Sequence, residues 1–418
     1  MPKNERDQVP TAGGRALPVG RKRLFSVITV IAALGLLEAG ARLWLRVSTP
    51  AAIEIDSTAD TVETDWLGKL ERDLEVGRRL YVPDDELFWR LRPGFTAEVD
   101  NAVYVTRSGG LRWTIQTNED GYRGPLYPAD GNPASPVVLS LGDSCTFGFR
   151  VNEDETYPAQ LQAWLREHGQ SEAVVLNYGI PGYTTFQGRR LLERILADHR
   201  PDVVVLAFGA NDHESDRFSD AEKAERLSAT RQRLARLADR LAVVRVVRGR
   251  GDRRRDPSAK PEGSATARVS ETEFRDNLQA MVLTAREAGV RVLLLDLVFI
   301  GPVFRQAIAD TAREQQVPWI DGRKVLTDGL AALRSGSRFG AERAAIDTFW
   351  NEEMLEYNAV YFDEQLYRTL FAEPTWSGLL RYLLIEPVHP NPLGNRIIAE
   401  AVGREIITTG AGQPDGGP

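Results

Sequence analysis

Residues 137–148 have the sequence VVLSLGDSCTFG, and this stretch decides the fold. An apolar run closed by glycine and small polar residues is typical of a buried parallel strand that ends at a tight turn. The carboxyl ends of such strands are where open parallel sheets bind their ligands. Ser144 follows this strand end directly, but a single serine here is best explained as a helix cap. Its role therefore depends on what the rest of the chain supplies.

Strands and helices alternate along the chain after this stretch. Four further apolar runs predict strands at residues 174–177, 203–208, 290–297 and 317–321. Amphipathic segments between them predict helices at residues 157–168, 185–199 and 274–288. The last helix follows the capping-box sequence SETE at 270–273. Alternating βα units predict an α/β fold with a parallel sheet that helices cover on both faces.

Composition excludes several classes of function. The 418-residue chain is 42% hydrophobic and 27% charged, as is typical of a globular protein, and its formal net charge is −7. A negative net charge argues against a nucleic-acid partner. One cysteine, Cys145, excludes an intrachain disulfide framework. The four histidines lack metal-ligand spacing, so we expect neither a metal site nor another cofactor.

The N-terminus contains a membrane-targeting pattern. Residues 1–23 form a basic leader that we expect to be disordered, and residues 24–47 are mainly apolar. This second segment fits a cleavable signal peptide or a membrane anchor. We favour the anchor, because Glu38 and Arg42 pair at i,i+4 and Trp44 suits an interface. Either interpretation places the rest of the chain on the extracytoplasmic, periplasmic side, and a cleaved segment makes the protein secreted.

Other segments lie around the predicted sheet. Residues 48–136 predict a stalk and a small β-rich cap, with a hairpin that pairs 103–105 with 113–115 across two glycines. We expect two insertions in the predicted domain, at about 214–269 and about 326–385, and a disordered tail at 408–418. Within the first, the basic run 248–268 predicts a solvated linker, or alternatively a patch for acidic glycan or lipid headgroups. The second is rich in aromatic residues, which suits a lid, a pocket wall or plain helical packing.

Four short blocks are expected at the carboxyl ends of strands or in the final loop. They are GDS at 142–144, NYGIPG at 177–182, GAND at 209–212 and EPVHPNP at 386–392. Because the carboxyl ends of a doubly wound sheet converge on one crevice, these blocks are predicted to meet.

Together the blocks contain the groups that acyl transfer needs. The Ser144 hydroxyl is a weak nucleophile until a base takes its proton, and His389 can be that base. A carboxylate must orient the imidazole, and Glu386 lies three residues before it. The tetrahedral oxyanion needs donors, and the N–H groups of Ser144 and Gly182 and the side-chain amide of Asn211 are candidates.

These blocks resemble the SGNH/GDSL hydrolase superfamily, and in particular its membrane-tethered bacterial members. The resemblance covers residues 137 to about 407, with all four blocks in the family order. It implies that Ser144 is the nucleophile and first oxyanion donor, that Gly182 and Asn211 are the other donors, and that His389 is the general base. It also implies a flavodoxin-like three-layer α/β/α sandwich around a five-stranded parallel sheet.

The sequence departs from the family pattern at two positions. Cys145 stands where the signature has leucine, a packing position that suits a small apolar side chain. Glu386 stands where the family has aspartate three residues before the histidine. A glutamate can orient an imidazole. The alternatives are another acid, such as Asp363, or a serine–histidine pair supported by a backbone carbonyl.

Three functions are compatible with this pattern. The first is a serine esterase that acts on an O-acyl group, acetyl in our interpretation, of an extracytoplasmic carbohydrate or lipid. The second is an O-acyltransferase that passes the same acyl group to a sugar hydroxyl. The third is an inactive glycan-binding module, which the change to Glu386 keeps open.

Overall fold

The computed structural model describes residues 76–77, 79–100, 112–128, 136–216, 218–226, 266–297, 301–352, 374–385 and 388–410. These residues belong to one compact unit, made of Val62–Leu227 and Ser264–Pro418. The strands are β1 (Tyr81–Asp84), β2 (Phe88–Leu91), β3 (Thr96–Asp100), β4 (Arg112–Gln116), β5 (Val137–Gly142), β6 (Val174–Gly179), β7 (Val203–Ala207), β8 (Ser215–Asp216), β9 (Thr266–Ala267), β10 (Arg291–Asp296) and β11 (Trp319–Asp321). The helices are α1 (Ser144–Phe147), α2 (Tyr157–Glu167), α3 (Thr185–Asp198), α4 (Asp220–Arg226), α5 (Glu271–Glu287), α6 (Pro302–Gln315), α7 (Gly322–Ser335), α8 (Gly340–Glu352), α9 (Pro374–Tyr382) and α10 (Pro392–Gly410).

The central sheet has five parallel strands in the spatial order β11-β10-β7-β5-β6. Counted along the chain this is the order 2-1-3-4-5, which is the order of flavodoxin-like doubly wound folds. The predicted five-stranded parallel sheet is therefore confirmed. Its switch point lies between β5 and β7, next to the end of β5, where Gly142 pairs with Gly179 on one side and Ala207 on the other.

Helices cover both faces of the sheet, because alternate side chains of each strand point to opposite faces. Leu139 of β5 belongs to a core with the buried side chains of α3, α5 and α6, such as Phe274. Val138 belongs to a second core with the buried side chains of α2, α7 and α10, such as Leu161 and Ile398. The result is three layers, helix–sheet–helix.

The described helices start close to where the sequence predicts. The capping box before α5 is formed, since the Ser270 Oγ accepts from the Glu273 N–H and the Ser270 N–H donates to the Glu273 carboxylate at 2.9 Å.

In the aromatic-rich region, Leu330, Leu333 and Leu379 are buried in the second core. Helical packing thus accounts for these leucines of α7 and α9.

The segment before β5 forms two antiparallel hairpins, β1–β2 and β3–β4. β4 contains the predicted residues 113–115 and pairs with β3, whereas residues 103–105 lie outside the described part. Packing favours the β3–β4 pair: Trp113 faces Val99 across it, and both are buried in the core that contains Leu139. The β-rich segment therefore shares a core with the central sheet.

Several predictions concern residues outside the described ranges. These are the leader, the membrane segment 24–47, the stalk, Glu386 and most of the basic run 248–268. Among the described helices, none is long and apolar enough to cross a membrane. The predicted disordered tail begins too early, because α10 continues through residues 408–410.

Candidate active site

Ser144 lies at the junction of β5 and α1. The Asp143 carboxylate caps α1 and accepts from the Cys145 N–H at 2.9 Å, which leaves Ser144 at the first helical position with its side chain half-buried. β6 approaches this turn closely, since a Cβ atom on Gly179 would lie 2.0 Å from the backbone nitrogen of Phe147. Only glycine fits at that position, so the ends of β5 and β6 meet at the serine.

The structure brings Ser144 and His389 together. The Nε2 atom of His389 lies 2.8 Å from the Oγ atom of Ser144, within hydrogen-bond distance. With a proton on Nδ1, Nε2 accepts from the hydroxyl, which is the arrangement a general base requires. The predicted meeting of these two blocks is confirmed in the structure.

Contacts on several sides hold the His389 loop. The Ile385 N–H donates to the His389 carbonyl at 2.9 Å, which closes the loop on itself. The Cys145 thiol lies 3.5 Å from the Val388 carbonyl. The centroids of the Phe149 ring and the His389 imidazole are 5.0 Å apart. The cysteine that departs from the family pattern thus packs under the loop that carries the histidine.

Gly182 lies in the loop after β6 with φ at +81°, a conformation that favours glycine. Within the described residues, neither its N–H nor that of Ser144 has a hydrogen-bond partner. An N–H at the first helical position has no partner in its own helix, so such groups are available to an anion.

Asn211 is bound to the Gly182 loop. Its Nδ2 atom donates to the carbonyl of Tyr183, the next residue, at 2.9 Å. One amide hydrogen is used there and the other is not bound within the described structure. Two of the three predicted donors therefore come from loops that are hydrogen-bonded to each other.

Asp212 fixes the loop after β7 to the start of α3. Its Oδ1 atom accepts from the Thr185 N–H at 2.9 Å and from the Thr185 hydroxyl at 2.6 Å. The side chain is fully buried, and burial raises the pKa of this carboxyl from 3.8 to about 7. Burial also raises the pKa of Asp143 to about 6, against the opposing effect of the nearby His389. One buried carboxyl therefore directly precedes the candidate nucleophile, and the other lies in the loop after β7.

Arg268 departs from the expectation of a solvated basic linker over 248–268. It is 7% exposed, and its guanidinium contacts both carboxylate oxygens of the fully buried Asp220, at 3.3 and 3.1 Å. A third contact runs to the Gly182 carbonyl at 2.9 Å. The arginine can be buried because a buried carboxylate and a loop carbonyl accept its hydrogen bonds. The one sequence feature that could have indicated this burial is its position directly before the apolar Val269 and the capping box.

Arg123 supports the other side of the nucleophile turn. Its fully buried guanidinium donates to the carbonyls of Phe147 and Gly148, each at 2.9 Å, at the carboxyl end of α1. It also lies over the Phe147 ring, 4.9 Å from the centroid. Burial lowers the pKa of this arginine to about 10. No short motif surrounds Arg123, so its role could not be predicted from the sequence.

The predicted acid of the triad is not among the described residues, because both Glu386 and its alternative Asp363 fall outside them. In the part of the chain that is described, no cluster of His, Cys, Asp or Glu side chains could hold a metal ion. What the described site contains is a hydroxyl, an imidazole and unbonded N–H groups at converging strand ends.

Individual proteins with similar sequences share only part of the chain. An arylesterase of Vibrio mimicus is 40% identical over 79 residues, which are 19% of this chain and 39% of the relative. Thioesterase 1/protease 1/lysophospholipase L1 of Escherichia coli K12 is 35% identical over 79 residues, 19% of this chain and 36% of the relative. The chain thus spans less than two fifths of the length of each of these curated relatives.

Solved structures match over a longer stretch at low identity. AlinE4, an SGNH-hydrolase family esterase, has a TM-score of 0.31 at 18% identity and covers 58% of this chain and 94% of its own. The lipase/acylhydrolase from Enterococcus faecalis has a TM-score of 0.36 at 16% identity, covering 66% and 96%. The family model of the GDSL-like lipase/acylhydrolases matches residues 140–397, more than half of the chain. The chain belongs to this family, and with it to the SGNH/GDSL superfamily.

Proposed function

We propose that this protein is an extracytoplasmic serine esterase that hydrolyses O-acyl esters through an acyl-serine intermediate. The observation that carries the proposal is the 2.8 Å contact between the Ser144 Oγ and the His389 Nε2. Family membership supports ester hydrolysis as the reaction. The roles of the individual residues follow from the contacts described above.

Acylation uses the serine and the histidine as a unit. The His389 Nε2 takes the proton of the Ser144 hydroxyl while Oγ forms a bond to the ester carbonyl carbon. The carbonyl π electrons move to oxygen and give a tetrahedral oxyanion. As this collapses, the bond to the alkoxy oxygen breaks, and the imidazolium returns its proton to the leaving alcohol.

Deacylation repeats these steps with water. The neutral His389 takes a proton from water, and the resulting hydroxyl oxygen bonds to the acyl carbon. Collapse of the second tetrahedral intermediate releases the carboxylic acid, and Ser144 regains its proton from the imidazolium. A sugar hydroxyl in place of this water would make the same site an acyltransferase.

The oxyanion is held by donors that are already in place. The candidates are the N–H groups of Ser144 and Gly182 and the Asn211 Nδ2, which the Tyr183 carbonyl holds at 2.9 Å. Donors fixed before the reaction need no reorganisation when charge develops, and one such donor is worth roughly 10²–10³-fold in kcat.

We also propose acetyl esters of cell-envelope carbohydrate or lipid as substrates, with the protein anchored in the membrane by residues 24–47. The support is sequence: the run RKR at 21–23 precedes the apolar segment, an order that keeps the leader inside and the domain outside. The resemblance to membrane-tethered bacterial members points the same way.

Turnover of p-nitrophenyl acetate by the full chain, beside Ser144→Ala, tests the proposed reaction. We expect hydrolysis that is lost in the variant. Transfer of the acetyl group to added sugar acceptors at the expense of hydrolysis would replace the esterase with the acyltransferase. Equal, negligible rates in both proteins would contradict both and leave a binding module.

A fusion of residues 1–47 to alkaline phosphatase tests the proposed location. This reporter needs its disulfides, which form outside the reducing cytoplasm. We expect an active fusion in the membrane fraction. Activity released in soluble form would indicate a cleaved signal peptide, and an inactive, expressed fusion would contradict the location.

A further inference from the structure

We infer that Trp89, in the hairpin before the family-matched domain, is a positioning residue that aims the Gly182 N–H at the oxyanion. The inference rests on the proposed function, in which this N–H is a donor. Trp89 lies in β2 and Gly182 in the loop after β6. The family model begins at residue 140, so the inference gives the preceding segment a part in the reaction.

The contact that carries the inference is made to the peptide unit of Gly182. The indole N–H of Trp89 donates to the Pro181 carbonyl at 3.4 Å. That carbonyl and the Gly182 N–H belong to one peptide unit, which is trans. In a trans peptide the C=O and N–H bonds point in opposite directions. Holding the carbonyl against Trp89 therefore turns the N–H away from the tryptophan.

A second contact holds the next peptide unit. The Gly182 carbonyl accepts from the Arg268 guanidinium at 2.9 Å, and Asp220 fixes that guanidinium from its other side. Both peptide units that flank the Gly182 Cα are thus held. This matters because a glycine at φ +81° has little steric restriction of its own.

Trp89 is itself held against the loop. The Tyr183 hydroxyl donates to the Trp89 carbonyl at 2.5 Å, and the two rings meet edge to face at 5.6 Å. The indole also covers Gly182 closely, since a Cβ atom there would lie 3.2 Å from Cζ2. Backbone and side chain of Trp89 thus contact three consecutive residues of the loop, Pro181, Gly182 and Tyr183.

The test is Trp89→Phe in the full chain, which keeps a ring and removes the indole N–H. We expect kcat for p-nitrophenyl acetate to fall about 10-fold, less than for loss of a whole donor, with KM within about 2-fold. The matched control is Trp319→Phe: Trp319 is also half-buried, but its indole N–H has no partner in the described structure. We expect the control to keep its activity.

Inhibition by phenylboronic acid separates positioning from a general loss of structure. Its tetrahedral serine adduct places an oxygen where the oxyanion forms, so we expect its Ki to rise about 10-fold in Trp89→Phe. Unchanged kcat and Ki in a folded Trp89→Phe variant would overturn the inference. If turnover by the unmodified protein still depends on Ser144, the proposed function would stand. Absence of Ser144-dependent turnover in the unmodified protein would overturn both. If Trp89→Phe does not fold, Tyr183→Phe, which releases the Trp89 carbonyl, must show the same split between kcat and KM.

Discussion

The Ser144 hydroxyl and the His389 imidazole are 245 positions apart in sequence, yet Oγ and Nε2 lie 2.8 Å from each other. The serine comes from the turn that closes the first sheet strand, and the histidine from the loop before the last helix. The fold between them therefore serves to bring one base to one hydroxyl. This dependence makes the two residues a single functional unit.

The first prediction concerns that unit. Ser144→Ala and His389→Ala should each lower kcat by a similar, large factor, and the double variant should be no worse than either alone. The reason is that the base has no purpose without the hydroxyl, so the losses are not additive. Measured kcat values for p-nitrophenyl acetate check this. A double variant whose loss equals the product of the single losses would show that the two residues act separately.

The second prediction identifies the acid. Glu386→Gln should lower kcat roughly 10²–10⁴-fold, because a neutral amide cannot stabilise the imidazolium and favours the wrong tautomer. Asp363→Asn is the matched control and should keep full activity. The opposite result would assign the role to Asp363. Full activity in both variants would favour a serine–histidine pair with a backbone carbonyl.

Much of the fold could be predicted because its signals are local. Each sheet strand is a short, mainly apolar run, and β5 and β6 end in glycine, so the alternation of strands and helices could be predicted. The topology predicts that the loops after β5, β6 and β7 meet at one edge of the sheet. The meeting of Ser144 with His389, which lies in the loop before the last helix, was predicted from the family order of the blocks. The four blocks in family order indicated the superfamily of the chain.

The support of the site could not be predicted, because it comes from contacts between distant segments. Trp89 and Arg123 precede the sheet and carry no motif, yet they contact the Gly182 loop and α1. Arg268 ends a basic run that indicates solvent, and only the buried Asp220 explains its position. Composition describes a segment on average and does not show which single charge finds a buried partner.

The third prediction concerns the buried arginine. Arg123→Met should lower the free energy of unfolding by about 2–5 kcal/mol, because the buried carbonyls of Phe147 and Gly148 lose their 2.9 Å donor. Each carbonyl then keeps only one longer contact of 3.4 Å, from the Asn177 Nδ2 and the Val151 N–H respectively. Urea denaturation checks this. Arg313→Met is the control: its side chain is 71% exposed in an i,i+3 pair, so the change should stay within about 0.5 kcal/mol. Equal shifts in the two variants would contradict a special role for Arg123.

The fourth prediction concerns pH and the buried Asp212. Its folded-state pKa is raised from 3.8 to about 7, so the folded state binds this proton more tightly than the unfolded chain does. The stability it contributes is therefore present below about pH 4 and is lost as the pH rises through about 7. Asp212→Asn cannot titrate and should gain stability over the parent between pH 5 and 8, by at most about 4 kcal/mol. Urea denaturation of both proteins at each pH measures this gain, and a difference independent of pH would mean that Asp212 is ionised throughout.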